Sequence, residues 1–228
     1  METLRAPVTV AIDGPSGSGK SSVSKLVAQR LRVRYLDTGA MYRAVTWWCL
    51  EHGIDVTDAE AVVRAARDLP LTMVTDPNAP AVLLAGRDVD AELRRTRIST
   101  VVSQVATNLE VREVLIDRQR QLVRDARTEG GMVLEGRDTT TVVAPDAEVR
   151  VLLTASEEAR LLRRARQLHG RAGDRLIEAT RDQVLRRDRD DSAVAEFTRA
   201  AEGVTVLDNS ELTRDQTVAA VLALVPPG

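Results

Sequence analysis

Three features of this 228-residue chain predict an α/β fold with one five-stranded parallel sheet flanked by helices. Apolar runs at 8–12, 33–36, 132–134, 149–153 and 204–207 are each followed by a helical pattern. Strands that alternate with helices in this way build a parallel sheet. A glycine-rich stretch, Gly14-Pro15-Ser16-Gly17-Ser18-Gly19-Lys20-Ser21, separates the first run from the first helix. Outside that rhythm, β-like runs at 71–75 and 81–84 flank Asp76-Pro77-Asn78, and Gly86-Arg87-Asp88 supplies another turn, so a small antiparallel insert is expected.

The elements follow in order. Val8-Thr9-Val10-Ala11-Ile12 reads as a buried strand, and Val23, Leu26, Val27 and Leu31 recur at helical spacing across 20–31. A second helix is predicted over 40–52, with Thr38 ahead of it as a capping residue and Gly53 ending it. Asp58 starts a third over 58–69, and further helices are predicted at 98–106, 109–127, 156–169, 176–188 and 213–224. Between Arg160 and Arg189 lie ten arginines on two helical segments broken at Gly170-Arg171-Ala172-Gly173. Such a run reads as a solvated helix face, or as a hinged basic lid that closes over phosphates.

Composition narrows the function classes. A net charge of −2 and a pI near 5.8 give no basic field for a nucleic-acid polymer, and two Trp, two Tyr and one Phe leave little for stacking bases. Cys49, the single cysteine, reads as a small buried hydrophobe, which rules out a disulfide framework and a cysteine metal cluster. His52 and His169 show no ligand spacing. With no N-terminal signal-like segment and no long apolar stretch, a cytoplasmic setting without membrane contact is expected. The absence of a long apolar seam makes a monomer the default.

The glycine-rich stretch matches G-x-x-x-x-G-K-[ST], in which backbone N–H groups curl round phosphates and a slim ammonium reaches the β- and γ-phosphates. Only two of the 32 basic side chains are lysines, and Lys20 sits where a planar guanidinium would fit poorly. Gly14 to Ser22 are therefore assigned to ATP, with Ser21 as the direct protein ligand of Mg²⁺. No lysine follows Lys25, so the N-K-x-D loop of regulatory GTP-binding proteins is excluded. Size, the early loop and the arginine-rich segment point to a small kinase that phosphorylates a metabolite.

Further motifs sharpen this reading: Leu36-Asp37-Thr38-Gly39-Ala40-Met41-Tyr42-Arg43, Ser103-Gln104-Val105-Ala106 with Val111-Arg112-Glu113, Gly136-Arg137-Asp138 with Thr141 to Ala147, and Arg187 to Ser192. From the P-loop to Asp208 the chain resembles the bacterial cytidylate kinases, members of the P-loop nucleoside monophosphate kinases. The resemblance implies a P-loop kinase core at 1–62, 103–158 and 191–228, a monophosphate-binding insert at 63–102 and a helical lid at 159–190. It implies MgATP as phosphoryl donor and CMP or dCMP as acceptor, giving CDP or dCDP and ADP.

The same resemblance implies Thr38, Arg43, Ser103, Arg112, Arg137, Asp138, Arg187 and Asp191 as the CMP site. Asp138, Arg112 and Ser103 supply one acceptor and two donors, the complement of cytosine's N4, N3 and O2. Arg43 and Arg137 suit the acceptor phosphate, and Arg187 with Asp191, four apart on one helix face, would approach the ribose. Lys20, Arg43, Arg137, Arg163 and Arg187 are expected to surround the transferring group. Two positions depart from the family pattern. Val194 stands where R-D-x-x-D-x-x-R ends in arginine, leaving Arg199 or a lid arginine to substitute. Glu135 replaces the usual aspartate and could hold a magnesium-bound water. The competing readings are a kinase for another small acceptor such as UMP or AMP, and a nucleotide-binding regulator without turnover.

Overall fold

The computed structural model of the chain describes residues 6–169, 181, 185, 188, 189, 192, 195 and 197–227. Arg187, Asp191, Val194 and most of the helix expected at 176–188 lie outside the described residues.

Strands β1 (Val8–Asp13) and β2 (Arg34–Asp37) open the chain, and a separate antiparallel sheet is made by β3 (Leu71–Val74), β4 (Ala81–Leu84) and β5 (Arg87–Asp88). With β6 (Gly131–Gly136), β7 (Val149–Thr154) and β8 (Thr205–Asp208), the first two complete a parallel sheet ordered β2-β6-β1-β7-β8. Along β1, Val8, Val10 and Ile12 join one buried cluster and Ala11 the other; on β6, Val133 opposes Met132 and Leu134. This period of two is what a strand covered on both faces requires.

One face is covered by α1 (Lys20–Leu31) and the C-terminal helix (Arg214–Leu222), whose Val23, Val27, Val218 and Val221 are buried. The other carries α2 (Thr38–Glu51), α3 (Ala59–Arg67), the short α4 (Asp90–Leu93), α5 (Thr96–Ser99) and α6 (Val102–Ala106), and the long α7 (Leu109–Arg127). Buried Val82, Leu84, Val89, Leu93 and Ile98 of the antiparallel insert belong to the same apolar cluster as α2 and α7. The Tyr35 N–H donates to Thr75 O at 2.8 Å, tying the insert to β2. After β7 comes α8 (Glu157–His169), so the C-terminal helix is α9.

Two local expectations are corrected. Asp37, rather than Thr38, caps α2: its carboxylate accepts the Ala40 N–H at 2.9 Å, while the Thr38 hydroxyl is drawn to Glu135 O at 2.8 Å on the neighbouring strand. The helix expected over 98–106 is broken into α5 and α6. Ser99 and Thr100 hydroxyls bond back to Thr96 O at 3.0 Å and Arg97 O at 3.2 Å, competing with the main-chain ladder there. A π-helical turn at Thr139–Val143 had no sequence signal.

From β1 the chain crosses first towards β2 and later, through β7 and β8, to the opposite side. Such a reversal opens a crevice beyond the carboxyl ends of the strands. The register brings those ends level, with Asp13 beside Gly136 and Asp37 beside Glu135.

Candidate active site

The glycine-rich loop leaves β1 at this crevice and feeds directly into α1 at Lys20, where Gly19 provides no side-chain cap; a helix N-terminus of this kind suits an anion. Gly17 has φ +79°, and a Cβ there would stand 2.7 Å from Arg160 O of α8, so both backbone conformation and clearance demand glycine. Lys20 is buried, and its ammonium donates to Pro15 O at 2.9 Å within the loop.

Asp13 fixes the loop to the strand beside it. Its Oδ1 accepts from the N–H and hydroxyl of Thr139 at 3.0 and 2.8 Å, and its Oδ2 from the same groups of Thr140 at 2.8 and 2.7 Å. Four donors on a carboxylate in the core hold Arg137 and Asp138, just upstream, in fixed register with Gly14. Close packing does the same at Gly136, where a Cβ would meet the Thr38 hydroxyl at 2.4 Å.

A cavity of about 310 Å³ lies beside the loop, lined by Thr38, Tyr42, Arg43, Arg94, Arg112, Glu135, Arg137, Asp138 and Arg164, together with Ser16, Gly17, Lys20 and Ser21. At one end Arg112 and Asp138 form a buried ion pair, with the guanidinium 6.0 Å from the Tyr42 ring centroid. Burial pushes Asp138 above the usual carboxylate range despite the pull of Arg112, and the Asp13 charge adds to the rise. Nearer the loop, Arg43 donates to Asp37 at 2.6 Å. Burial alone would raise Asp37, but Arg43 and the Ala40 N–H outweigh it and hold the carboxyl below its ordinary value.

Glu135 moves the other way: burial, then the charge of Asp37, raise it against the opposing pull of Lys20 and a Ser21 hydrogen bond. Tyr35 donates to Glu135 at 3.1 Å, and burial with the Glu135 charge keeps that phenol protonated.

A second cavity of about 480 Å³ runs along the other side of the loop, lined by Gly19, Ser22, Val23, Arg163, Asn209, Leu212, Arg214 and Thr217. Gly17, Lys20, Ser21 and Arg164 line both cavities and form their common wall. Arg163 is tied back, donating to the Asn209 side chain at 2.8 Å and to Asn209 O at 2.7 Å, while Asn209 donates to Ser18 O at 2.9 Å. Burial, then the nearby Arg43 and Arg94 charges, lower Arg164 below the usual guanidinium value. That convergence of like charges suits a polyanion.

Most residues singled out from the sequence meet at these cavities: Gly17, Gly19, Lys20, Ser21, Ser22, Thr38, Arg43, Arg112, Glu135, Arg137, Asp138 and Arg163. Gly14 and Pro15 turn carbonyls to Arg137 and Lys20, and Ser18 turns its own to Asn209 and Arg163. Ser103 is not brought in; its segment presents Ser99, Val102 and Ala106 to the first cavity instead. Arg199 is exposed and lines neither cavity. Asp37, Arg94, Arg164 and Asn209 were missed. Helix phase was the available signal for Arg164, four residues from Arg160 on α8. Cys49 takes no part: burial pushes its thiol up to about 11, far from a reactive thiolate.

A phosphate cradle at the switch point of a parallel sheet, with two cavities meeting at its lysine, defines a P-loop phosphotransferase class. The family model described as Cytidylate kinase matches residues 10–226. The chain is 44% identical to the cytidylate kinase of Streptomyces avermitilis, over 96% of this chain and 92% of that one. It is 46% identical to that of Cutibacterium acnes over 97% of each, and 47% identical to that of Nocardia farcinica over 93% and 90%. The chain belongs to the cytidylate kinase family. An uncharacterized protein from Eubacterium ventriosum ATCC 27560 shares the fold at TM-score 0.50 and 10% identity, covering 96% of this chain and 97% of that one. Among the described residues no helix is long and apolar enough to cross a membrane.

Proposed function

We propose that this kinase moves the γ-phosphoryl group of MgATP onto the α-phosphate of CMP or dCMP, giving CDP or dCDP and ADP. The observation that carries the reading is the common wall: the Arg112–Asp138 pocket and the P-loop cavity meet at Lys20, Ser21 and Arg164. A donor in one cavity and an acceptor in the other place reacting oxygen and phosphorus at that wall.

The acceptor oxygen belongs to a phosphate ionised at neutral pH, so no general base is needed, and catalysis reduces to alignment and charge stabilisation. An oxygen of the CMP phosphate forms a bond to the γ-phosphorus as the bridging bond to the β-phosphate breaks, the electron pair leaving with ADP. Loop N–H groups and Lys20 hold the donor phosphates, and Arg43 and Arg137 hold the acceptor. Arg164 is placed to meet the transferring group, whereas Arg163 fastens α8 to the loop through Asn209. Arg164 thus supplies the cation that Val194 does not.

Glu135, raised by burial and then by the Asp37 charge, and in contact with Ser21, is a carboxyl that a divalent cation would satisfy. Ser21 would hold Mg²⁺ directly and Glu135 through water. When bound, the ion would supply positive charge against the donor phosphates. In the base pocket, Asp138 accepts from cytosine N4 and Arg112 donates to the ring.

An acceptor panel tests this reading. With MgATP fixed, ADP release should depend on added CMP or dCMP and be weak with UMP and AMP. Equal turnover of UMP or AMP, or ADP release indifferent to any acceptor, would contradict it.

A further inference from the structure

Asp188 lies 172 residues from Ser16 in sequence, yet its Oδ1 accepts the Ser16 N–H at 2.8 Å. Its other oxygen accepts from Arg160, and Arg137 stands 3.9 Å from Oδ1. Arg160 also donates to Ser16 O at 3.1 Å, and Arg137 to Gly14 O at 2.9 Å. One carboxylate is therefore ringed by a P-loop N–H and two guanidiniums, the donor set that a phosphate oxygen takes. The Arg160 Nε, moreover, is buried without an acceptor among the described residues. An anion with more oxygens than a carboxylate would satisfy it.

We propose that Asp188 is an internal competitor for the phosphate cradle: its carboxylate holds the Ser16 N–H until the donor phosphates displace it, and its departure releases Arg160 to them and frees Arg137 for the acceptor phosphate. The inference rests on the P-loop being the donor site. It makes Asp188 a positioning residue that keeps two arginines neutralised and pointed at the loop between turnovers. It also opposes the other use of the same contact, a latch fastening the base of α8 to the loop, because the two differ in sign. Removing a latch loosens the cradle and weakens phosphate binding. Removing a competitor tightens it.

The test is calorimetric titration of the full chain with inorganic triphosphate and with MgATP, for the unaltered protein, Asp188→Asn and Asp188→Ser. Glu157→Gln serves as a charge control, since Glu157 is half-exposed, pairs with Arg181 at 2.6 Å and lines neither cavity. Both Asp188 variants should bind inorganic triphosphate about tenfold more tightly, equivalent to about 1.4 kcal/mol, with Glu157→Gln within about twofold of the unaltered chain. Weaker or unchanged binding in the Asp188 variants overturns the proposal, as does equal tightening in Glu157→Gln, which would make it a bulk charge effect. If Asp188→Ser melts early, Asp188→Asn, nearly isosteric, carries the comparison. An unaltered chain that binds no triphosphate would overturn the donor-site reading along with this one.

Discussion

Asp138→Asn is the most informative single substitution in the base pocket. The Asp138 side chain is 9% exposed and its partner Arg112 11%, so a base presented to them is compared with little help from water. Cytosine offers an amino donor where uracil offers a carbonyl oxygen. Setting that oxygen against the carboxylate leaves a buried group unpaired, at about 1–3 kcal/mol, or about tenfold to a hundredfold in selectivity. Asparagine can turn either its oxygen or its amide to the ligand, so the penalty on uracil disappears. The expected result is a fall of about tenfold to a hundredfold in the ratio of kcat/KM for CMP over UMP, with the KM for ATP little changed. Because Arg112 would lose its charged partner, a melting curve should accompany the kinetics; truncating one member of a buried pair costs about 3–5 kcal/mol. A folded Asp138→Asn enzyme with unchanged selectivity would remove Asp138 from base recognition.

Other substitutions probe the rest of the site. Lys20→Ala should abolish turnover while circular dichroism stays native, and an active variant would contradict the donor assignment. Arg164→Ala should lower kcat by about 10²–10³, the usual loss for one preorganised charge donor, whereas Arg163→Ala should act chiefly on the KM for ATP by releasing Asn209; the reverse pattern would exchange their roles. Glu135→Gln tests the buried carboxyl. Its folded pKa is raised, so the native state is penalised as pH climbs from the unfolded carboxylate value through the folded one. Differential scanning calorimetry should show the variant gaining Tm over the unaltered chain as pH rises from 4 to 8, with activity reduced; a constant or shrinking difference would contradict the burial argument.

How much of this the sequence revealed depends on how local each cause is. The P-loop was legible because its glycines answer to backbone geometry a few residues long, and the inner strands β1, β6 and β7 because burial on both faces leaves continuous apolar runs. Arg112 and Asp138 were legible only through the motifs around them, since nothing in a one-dimensional pattern joins positions 26 apart. Thr38 was misread as a cap because its hydroxyl is claimed by Glu135 O, on a strand 97 residues further along the chain. Arg163 and Arg164 are adjacent on one helix, and nothing in the one-dimensional pattern shows that Asn209, just after β8, holds Arg163. Ser103 and Ser99 differ by four residues, and the break between α5 and α6 decides which of them the cavity receives. Asp13 carries no signal in the sequence; its role comes from Thr139 and Thr140 on a π-helical turn that no periodicity announces.

Phosphoryl transfer as proposed requires a nucleotide in each of the two cavities that share Lys20, Ser21 and Arg164. Inhibition by adenosine and cytidine joined through five phosphates measures that directly. A shared wall predicts competition against both ATP and CMP, with affinity well above that of either nucleotide alone. Competition against only one of them, or simultaneous binding of the linked compound and CMP, would show that the two cavities do not meet where phosphoryl transfer requires.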